Sequence, residues 1–133
     1  HNMISALLDN YLFQHRAEGF GLKEVLWRRV LDVNDRGLRQ IVSGVGPAAN
    51  GGVQQAGFDI TPASELMAIL CLADDMADLK VRLGKIIVAY TFDGRPVTAA
   101  DLNAVGSMAA LLKETLNKIR VSFLLQIFIL YIL

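Results

Sequence analysis

Residues 61–98 read TPASELMAILCLADDMADLKVRLGKIIVAYTFDGRPVT, and this stretch sets the fold class. Thr61 ahead of Pro62 is a helix start with a mechanism. The hydroxyl accepts a bond from an orphan amide, and proline tolerates the first helical position. A helix from Pro62 to about Ala73 follows, with Leu66, Ile69, Leu70 and Ala73 on its apolar side. Asp74-Asp75 then opens a second helix, in which Met76, Leu79 and Leu83 recur until Gly84 ends it. Ile86 to Thr91 reads as a strand, Asp93-Gly94 as a tight turn and Val97 as a short return strand. Thr98, with Asp101 three residues on, resembles the capping signature of a last helix that runs to about Leu116 and bends at Gly106. The order is mixed helix and strand.

Upstream, Met3, Ile4, Leu7, Leu8, Tyr11 and Leu12 fall on one stripe of 3.6 period, while Asn2, Ser5, Asp9, Asn10 and Gln14 face away. Residues 2–16 therefore read as an amphipathic helix, broken by Gly19 and Gly21. Val25 to Val33, with Trp27, Val30 and Leu31 between charged residues, fits helix and strand templates equally, and its type stays open. Gln40 to Ser43 reads as a short strand, closed by a loop from Gly44 to Gly57. No cap or turn precedes the apolar repeat at His1, so the expectation is a chain that starts partway through a longer polypeptide, with Met3 as an alternative internal start.

The 133 residues suit one domain or a large piece of one. Thirteen Lys plus Arg balance 13 Asp plus Glu, so no global field gathers nucleic acid or an anionic membrane. Hydrophobic residues make up 53% of the chain and mean hydropathy is +0.41, an excess concentrated in Val121 to Leu133. The single cysteine, Cys71, and the lack of a charged-then-apolar leader give the expectation of a reducing, cytoplasmic compartment.

Gly44-Val45-Gly46-Pro47-Ala48-Ala49 matches the G-x-G-x-x-A pattern of dinucleotide sites, but Pro47 and Asn50-Gly51-Gly52 are poor material for the helix that should receive a pyrophosphate. Gly46 and Gly51 have P-loop spacing, yet Gly52 and Val53 stand where Lys and Ser or Thr are needed. His1 and His15 lack neighbours at metal-ligand spacing, so no metal site is expected. Cys71, inside Leu70-Cys71-Leu72, reads as core. Two polar clusters, Asn34-Asp35-Arg36 with Arg39 and Asp59 with Ser64 and Glu65, either line a site or form caps and solvated ion pairs; the second reading is favoured.

Taken together, residues 27–39 (WRRVLDVNDRGLR) and 57–70 (GFDITPASELMAIL) closely resemble formate–tetrahydrofolate ligase. The resemblance continues through Leu79 to Gly84, Tyr90 to Thr98 and Gly106 to Lys113, and so covers roughly residues 1–117; the short spacer after the first helix looks like the single-function form. It implies an incomplete segment of a P-loop NTPase-type α/β domain. It also implies an enzyme that uses ATP and magnesium to phosphorylate formate and passes the formyl group to N10 of tetrahydrofolate. The phosphate loop would lie before His1 and the later folate and adenine contacts beyond Leu133, so no catalytic residue carries over. Asp59, Ser64 and Glu65 remain the cofactor-binding candidates, at matching positions to which the resemblance assigns no role. The expectation for the isolated chain is inactivity; the alternative is a non-catalytic module that associates with itself or with an intact ligase.

The resemblance stops at about residue 117. Residues 118–133 form a hydrophobic tail foreign to the family, read as a frame change, read-through of non-coding sequence or an altered gene end rather than a membrane anchor, because it is shorter than the ~20 apolar residues a span needs. Uncharged from Val121 onward, free of proline and rich in β-branched and aromatic residues, the tail has the composition of an aggregation-prone strand.

Overall fold

The computed structural model describes residues 1–15, 21–116 and 118. Among the described residues, four helices pack around three small sheets. The first helix, α1 (Asn2–His15), buries Ile4, Ser5 and Leu8, with Met3, Leu7, Tyr11 and Leu12 packed against the same core. Its stripe is the one the periodicity gives, with one correction: Ser5 is inside. Asn2, also expected to face away, reaches back to the chain. Its side-chain amide donates to the Val30 carbonyl at 3.0 Å and its carbonyl accepts from the Val30 amide at 2.8 Å, the pairing that a neighbouring strand would make.

The segment of open type is extended. Strand β1 (Leu22–Val25) and strand β2 (Arg29–Leu31) flank Trp27. That ring is buried, stacks on His1 with centroids 4.0 Å apart and donates its indole N–H to the His1 carbonyl at 3.2 Å. Next comes β3 (Ile41–Ser43), and the expected loop behind it contains a return strand, β4 (Gln54–Ala56), antiparallel to β3. Immediately afterwards β5 (Phe58–Ile60), not foreseen from the sequence, pairs parallel with β2 in the register Arg29 with Phe58, Val30 with Asp59 and Leu31 with Ile60.

Thr61–Ala63 forms a single 3-10 turn, and helix α2 (Glu65–Leu72) begins only after it. Its cap is Ser64, whose hydroxyl accepts from the Met67 amide, rather than Thr61. Helix α2 buries Leu66 and Leu70. Cys71 is exposed and Leu72 is 64% exposed, which overturns the core reading of that cysteine. Helix α3 (Met76–Gly84) starts on Asp75, whose carboxylate accepts from the Asp78 amide at 2.8 Å, and buries Leu79 and Leu83 completely.

The third sheet has the order β1, β6 (Ile87–Thr91), β7 (Pro96–Thr98), all antiparallel. At the β6–β7 turn Gly94 takes φ +80°, a conformation that costs a Cβ-bearing residue strain and glycine little. Thr98 and Asp101 do form a reciprocal box: the Thr98 amide and hydroxyl both donate to the Asp101 carboxylate at 2.8 Å, and the Asp101 amide returns a 3.3 Å bond. The box holds one turn, not the long helix. Asn103 at φ +53° ends that turn, and helix α4 occupies residues 105–116, so Gly106 lies in its first turn. Ile4, Leu8, Leu79, Leu83, Ile86 and Val88 form the dry centre joining these layers. No helix among the described residues is long and apolar enough to cross a membrane. Residues 118–133 fall, apart from Lys118, outside the described residues, and so does the reading of the tail.

Candidate site at the carboxyl end of the parallel pair

In sheets built from parallel strands, ligands collect outside the carboxyl ends, where loops diverge and backbone groups lie unpaired. Strands β2 and β5 are the parallel pair here, and the two polar clusters singled out from the sequence follow their carboxyl ends, except for Asp59, which lies within β5. Asp32, Asn34, Asp35 and Arg36 follow β2; Thr61, Ser64 and Glu65 follow β5. One side-chain bond ties the two exits together: Thr61 Oγ1 donates to Asp32 Oδ1 at 2.9 Å.

Most polar groups at this end are already engaged. Asp35 caps the 3-10 turn Arg36–Leu38 by accepting from the Gly37 amide at 2.8 Å. The Asn34 side-chain carbonyl accepts from the Arg39 guanidinium at 3.4 Å. Asp59, in the strand itself, forms an ion pair with Arg28 Nε at 3.5 Å, and Arg28 also donates to the Arg39 carbonyl. Ser64 is buried and occupied as the α2 cap. Glu65, on the first turn of α2, feels partial burial that pushes its carboxyl above the ordinary value. Asp59 thus pairs with Arg28, while Ser64 and Glu65 serve the start of α2. Asp59 lies within β5 and pairs toward the amino end of β2, whereas Ser64 and Glu65 follow the carboxyl end of β5, so the three candidates do not form one bonded cluster.

Among the described residues Arg36 and Glu65 have no ion pair, Val33 in the loop after β2 is 73% exposed, and no hydroxyl at this end sits on a histidine or carboxylate base other than Thr61 donating to Asp32. Among the described residues no three His, Cys, Asp or Glu side chains converge as a metal site would require. His1 Nε2 lies 2.9 Å from the Arg28 carbonyl and its ring stacks on Trp27, while Nδ1 is buried with no hydrogen-bond partner among the described residues. The sequence reading missed Asp32 and Arg28; their partners lie 29 and 31 positions away, and no local pattern announces such pairs.

The glycine loop is a hairpin connection. Gly44, Gly46 and Gly51 all take positive φ, Ala48–Asn50 makes one 3-10 turn, and the Asn50 side-chain amide closes back on the Val45 carbonyl at 3.0 Å. A Cβ on Gly44 would collide with the Gly52 carbonyl, so the two arms of the loop touch there, and the loop lines one side of a cleft of about 520 Å³. The dinucleotide pattern is thereby spent on a tight return between antiparallel strands.

The formate–tetrahydrofolate ligase family profile matches residues 1–125. Formate–tetrahydrofolate ligase of Phocaeicola vulgatus is 63% identical over 117 residues, which is 88% of this chain and 21% of that protein. The enzymes of the same name from Bacteroides fragilis and Porphyromonas gingivalis are 61% and 57% identical over the same length and shares. The chain spans about a fifth of the length of these curated relatives. It belongs to the formate–tetrahydrofolate ligase family.

Proposed function

We propose that this chain supplies scaffold to the nucleotide-binding α/β domain of an ATP-dependent formate–tetrahydrofolate ligase and does no chemistry alone. The observation that carries the reading is the coupling of 63% identity to a ligase with coverage of only 21% of that ligase. The reaction class makes ATP and formate into formyl phosphate and hands the formyl group to N10 of tetrahydrofolate. Activation of formate is phosphoryl transfer, which depends on positioned backbone amides, a lysine and a metal held by Ser or Thr. The residues here do not fit the triphosphate: the Gly44–Asn50 loop has no lysine, and no Ser or Thr follows it at P-loop spacing. The P-loop-type architecture, the ATP and magnesium sites and the cytoplasmic setting are therefore ascribed to the longer protein. In that protein the ends of β2 and β5 act as a rigid shelf.

The test is an absorbance assay for folate product with ATP, magnesium, formate and tetrahydrofolate. No formate-dependent product above a no-protein control is expected from the 133 residues; product would place chemistry in Asp59, Ser64, Glu65 or the Gly44–Gly57 loop. A second reading, an interaction module that docks on an intact ligase or on another copy, draws support from Val42, Val45 and Val53, each more than 60% exposed on the β3–β4 hairpin. Size-exclusion chromatography of the chain alone and mixed with intact ligase separates the two, and a monomer indifferent to the ligase removes the second.

A further inference from the structure

The loop that joins β3 to β4 carries Asn50-Gly51 at its tip, and of the asparagines in the chain Asn50 alone is followed by glycine. Asparagine is among the thermally labile residues, and its side-chain amide is open to attack by the next backbone nitrogen when no Cβ crowds that nitrogen. Asn50 is exposed. Where a side chain on Gly51 would stand, no atom lies within 4 Å, so a ring closed between the two residues meets no obstacle. The Gly51 amide bonds the Ala48 carbonyl at 3.3 Å, longer than the usual range for such a bond and therefore a weak hold on the attacking nitrogen.

Asn50 is also the clasp of this loop. Its Nδ2 donates to the Val45 carbonyl at 3.0 Å and so spans the gap between the two arms. A carboxylate at that position has no hydrogen to donate, and two acceptors would face each other across the gap. With Gly51 and Gly52, Asn50 lines the cleft of about 520 Å³, and the same cleft is walled by Asp9 and Arg29. These two are already committed to each other, and Asp9 also accepts from the Gln54 amide at 3.1 Å, so a new negative charge in the cleft has no free cation to meet there.

We propose that Asn50 is a covalent modification site of the folded chain, where deamidation through a cyclic imide releases the clasp on Val45 and loosens the β3–β4 hairpin. The Gly51 backbone nitrogen attacks Asn50 Cγ. The new bond joins that nitrogen to Cγ, the bond from Cγ to Nδ2 breaks, and Nδ2 leaves as ammonia with the proton that Gly51 gives up. Water then adds to one of the two imide carbonyls and reopens the ring, which yields aspartate or, with the main chain rerouted through the side chain, isoaspartate. No electrons are exchanged, and solvent water is the only co-reactant. The rerouted product inserts an extra methylene into the main chain between β3 and β4, whose register pairs Ser43 with Gln54 at the mouth of this loop. The site lies apart from the strand ends discussed above, and its test does not depend on ligase activity.

Timed incubation of the whole folded chain in mildly alkaline buffer, followed by peptide mapping with mass spectrometry, tests the first half. Deamidated peptide should accumulate at Asn50 faster than at Asn10, Asn34 or Asn103, as separable aspartate and isoaspartate forms, and Asn50→Gln should abolish the change at that position. A rate at Asn50 no higher than at the other three overturns the proposal. So does aspartate without isoaspartate, since only the imide yields both. Hydrogen exchange tests the second half: Asn50→Asp should speed amide exchange in residues 41–56 relative to the parent while β6 exchanges as before, which also shows that the variant is folded. Equal exchange in the hairpin of Asn50→Asp and of the parent overturns the release of the clasp.

Discussion

Gly57→Ala is the sharpest perturbation of the parallel pair. Gly57 precedes β5, is buried, and gives its carbonyl to the Arg29 amide at 3.0 Å, the bond that sets the β2–β5 register. A Cβ there would collide with the Arg39 carbonyl oxygen and with the Arg28 guanidinium, whose central carbon would stand 3.0 Å away. The side chain of Arg28 can swing aside at the loss of its hydrogen bond to Arg39 and its ion pair with Asp59. The Arg39 carbonyl cannot, because β3 begins two residues later at Ile41. Overpacking of this kind costs about 1–3 kcal/mol, and a backbone atom as the obstacle places Gly57→Ala toward the upper end. For a chain of this size that is a fall of roughly 5–10 °C in thermal midpoint, read by circular dichroism. Adding Arg28→Ala relieves the side-chain collision only, so at least half the loss should persist in the double variant. A single variant within about 0.5 kcal/mol of the parent, or complete rescue by Arg28→Ala, would refute the backbone argument.

Leu83→Ala, which empties a fully buried position on α3, should cost about 2–5 kcal/mol by denaturant unfolding; a cost under about 1 kcal/mol would show that α3 does not belong to the cooperative core. Cys71 should react with a thiol reagent in the native state about as fast as in the unfolded chain, and protection until unfolding would contradict its exposure on α2. Hydrogen bonds from the Thr98 backbone and hydroxyl hold the Asp101 carboxyl below its ordinary value, so its contribution is complete above that value and fades as pH falls through the lowered one. The thermal-midpoint gap between parent and Asp101→Asn should therefore be constant above about pH 5 and shrink below about pH 4. A gap unchanged down to pH 2 would disprove the linkage. Deleting residues 120–133 should raise soluble yield, and a lower yield would mean that the tail packs as a native element.

Elements whose signals are local were legible from sequence. The α1 stripe, Asp75 at the head of α3 and the Asp93-Gly94 turn each rest on chemistry within a few residues. Misreadings arose where two local signals compete. Thr61 and Ser64 both offer a capping hydroxyl, and Pro62 is consumed by the 3-10 turn, which leaves the helix to Ser64. Cys71 sits in a run that is apolar all round; with Leu66 and Leu70 turned inward, the next residue points about 100° away, toward solvent. At the site, the clusters were visible as residue types, but their partners were not. Asp32 with Thr61 and Arg28 with Asp59 are tertiary choices, made by the β2–β5 register.

That register also explains how a two-stranded parallel pair persists in this chain. Parallel strands usually sit deep in larger sheets, with neighbours on both sides and helices on both faces. Among the described residues, β2 has β5 on one edge and no strand on the other, where the Asn2 side chain satisfies Val30 as a third strand would. At the pair, Arg28 clasps Asp59; at its carboxyl end Thr61 ties to Asp32. Three side-chain pins thus do the work of missing strands, and each spends a polar group that would otherwise be free for ligand. Of the three, only the Thr61–Asp32 bond lies at the carboxyl end, where the register of the pair brings together two polar groups that lie 29 positions apart in sequence.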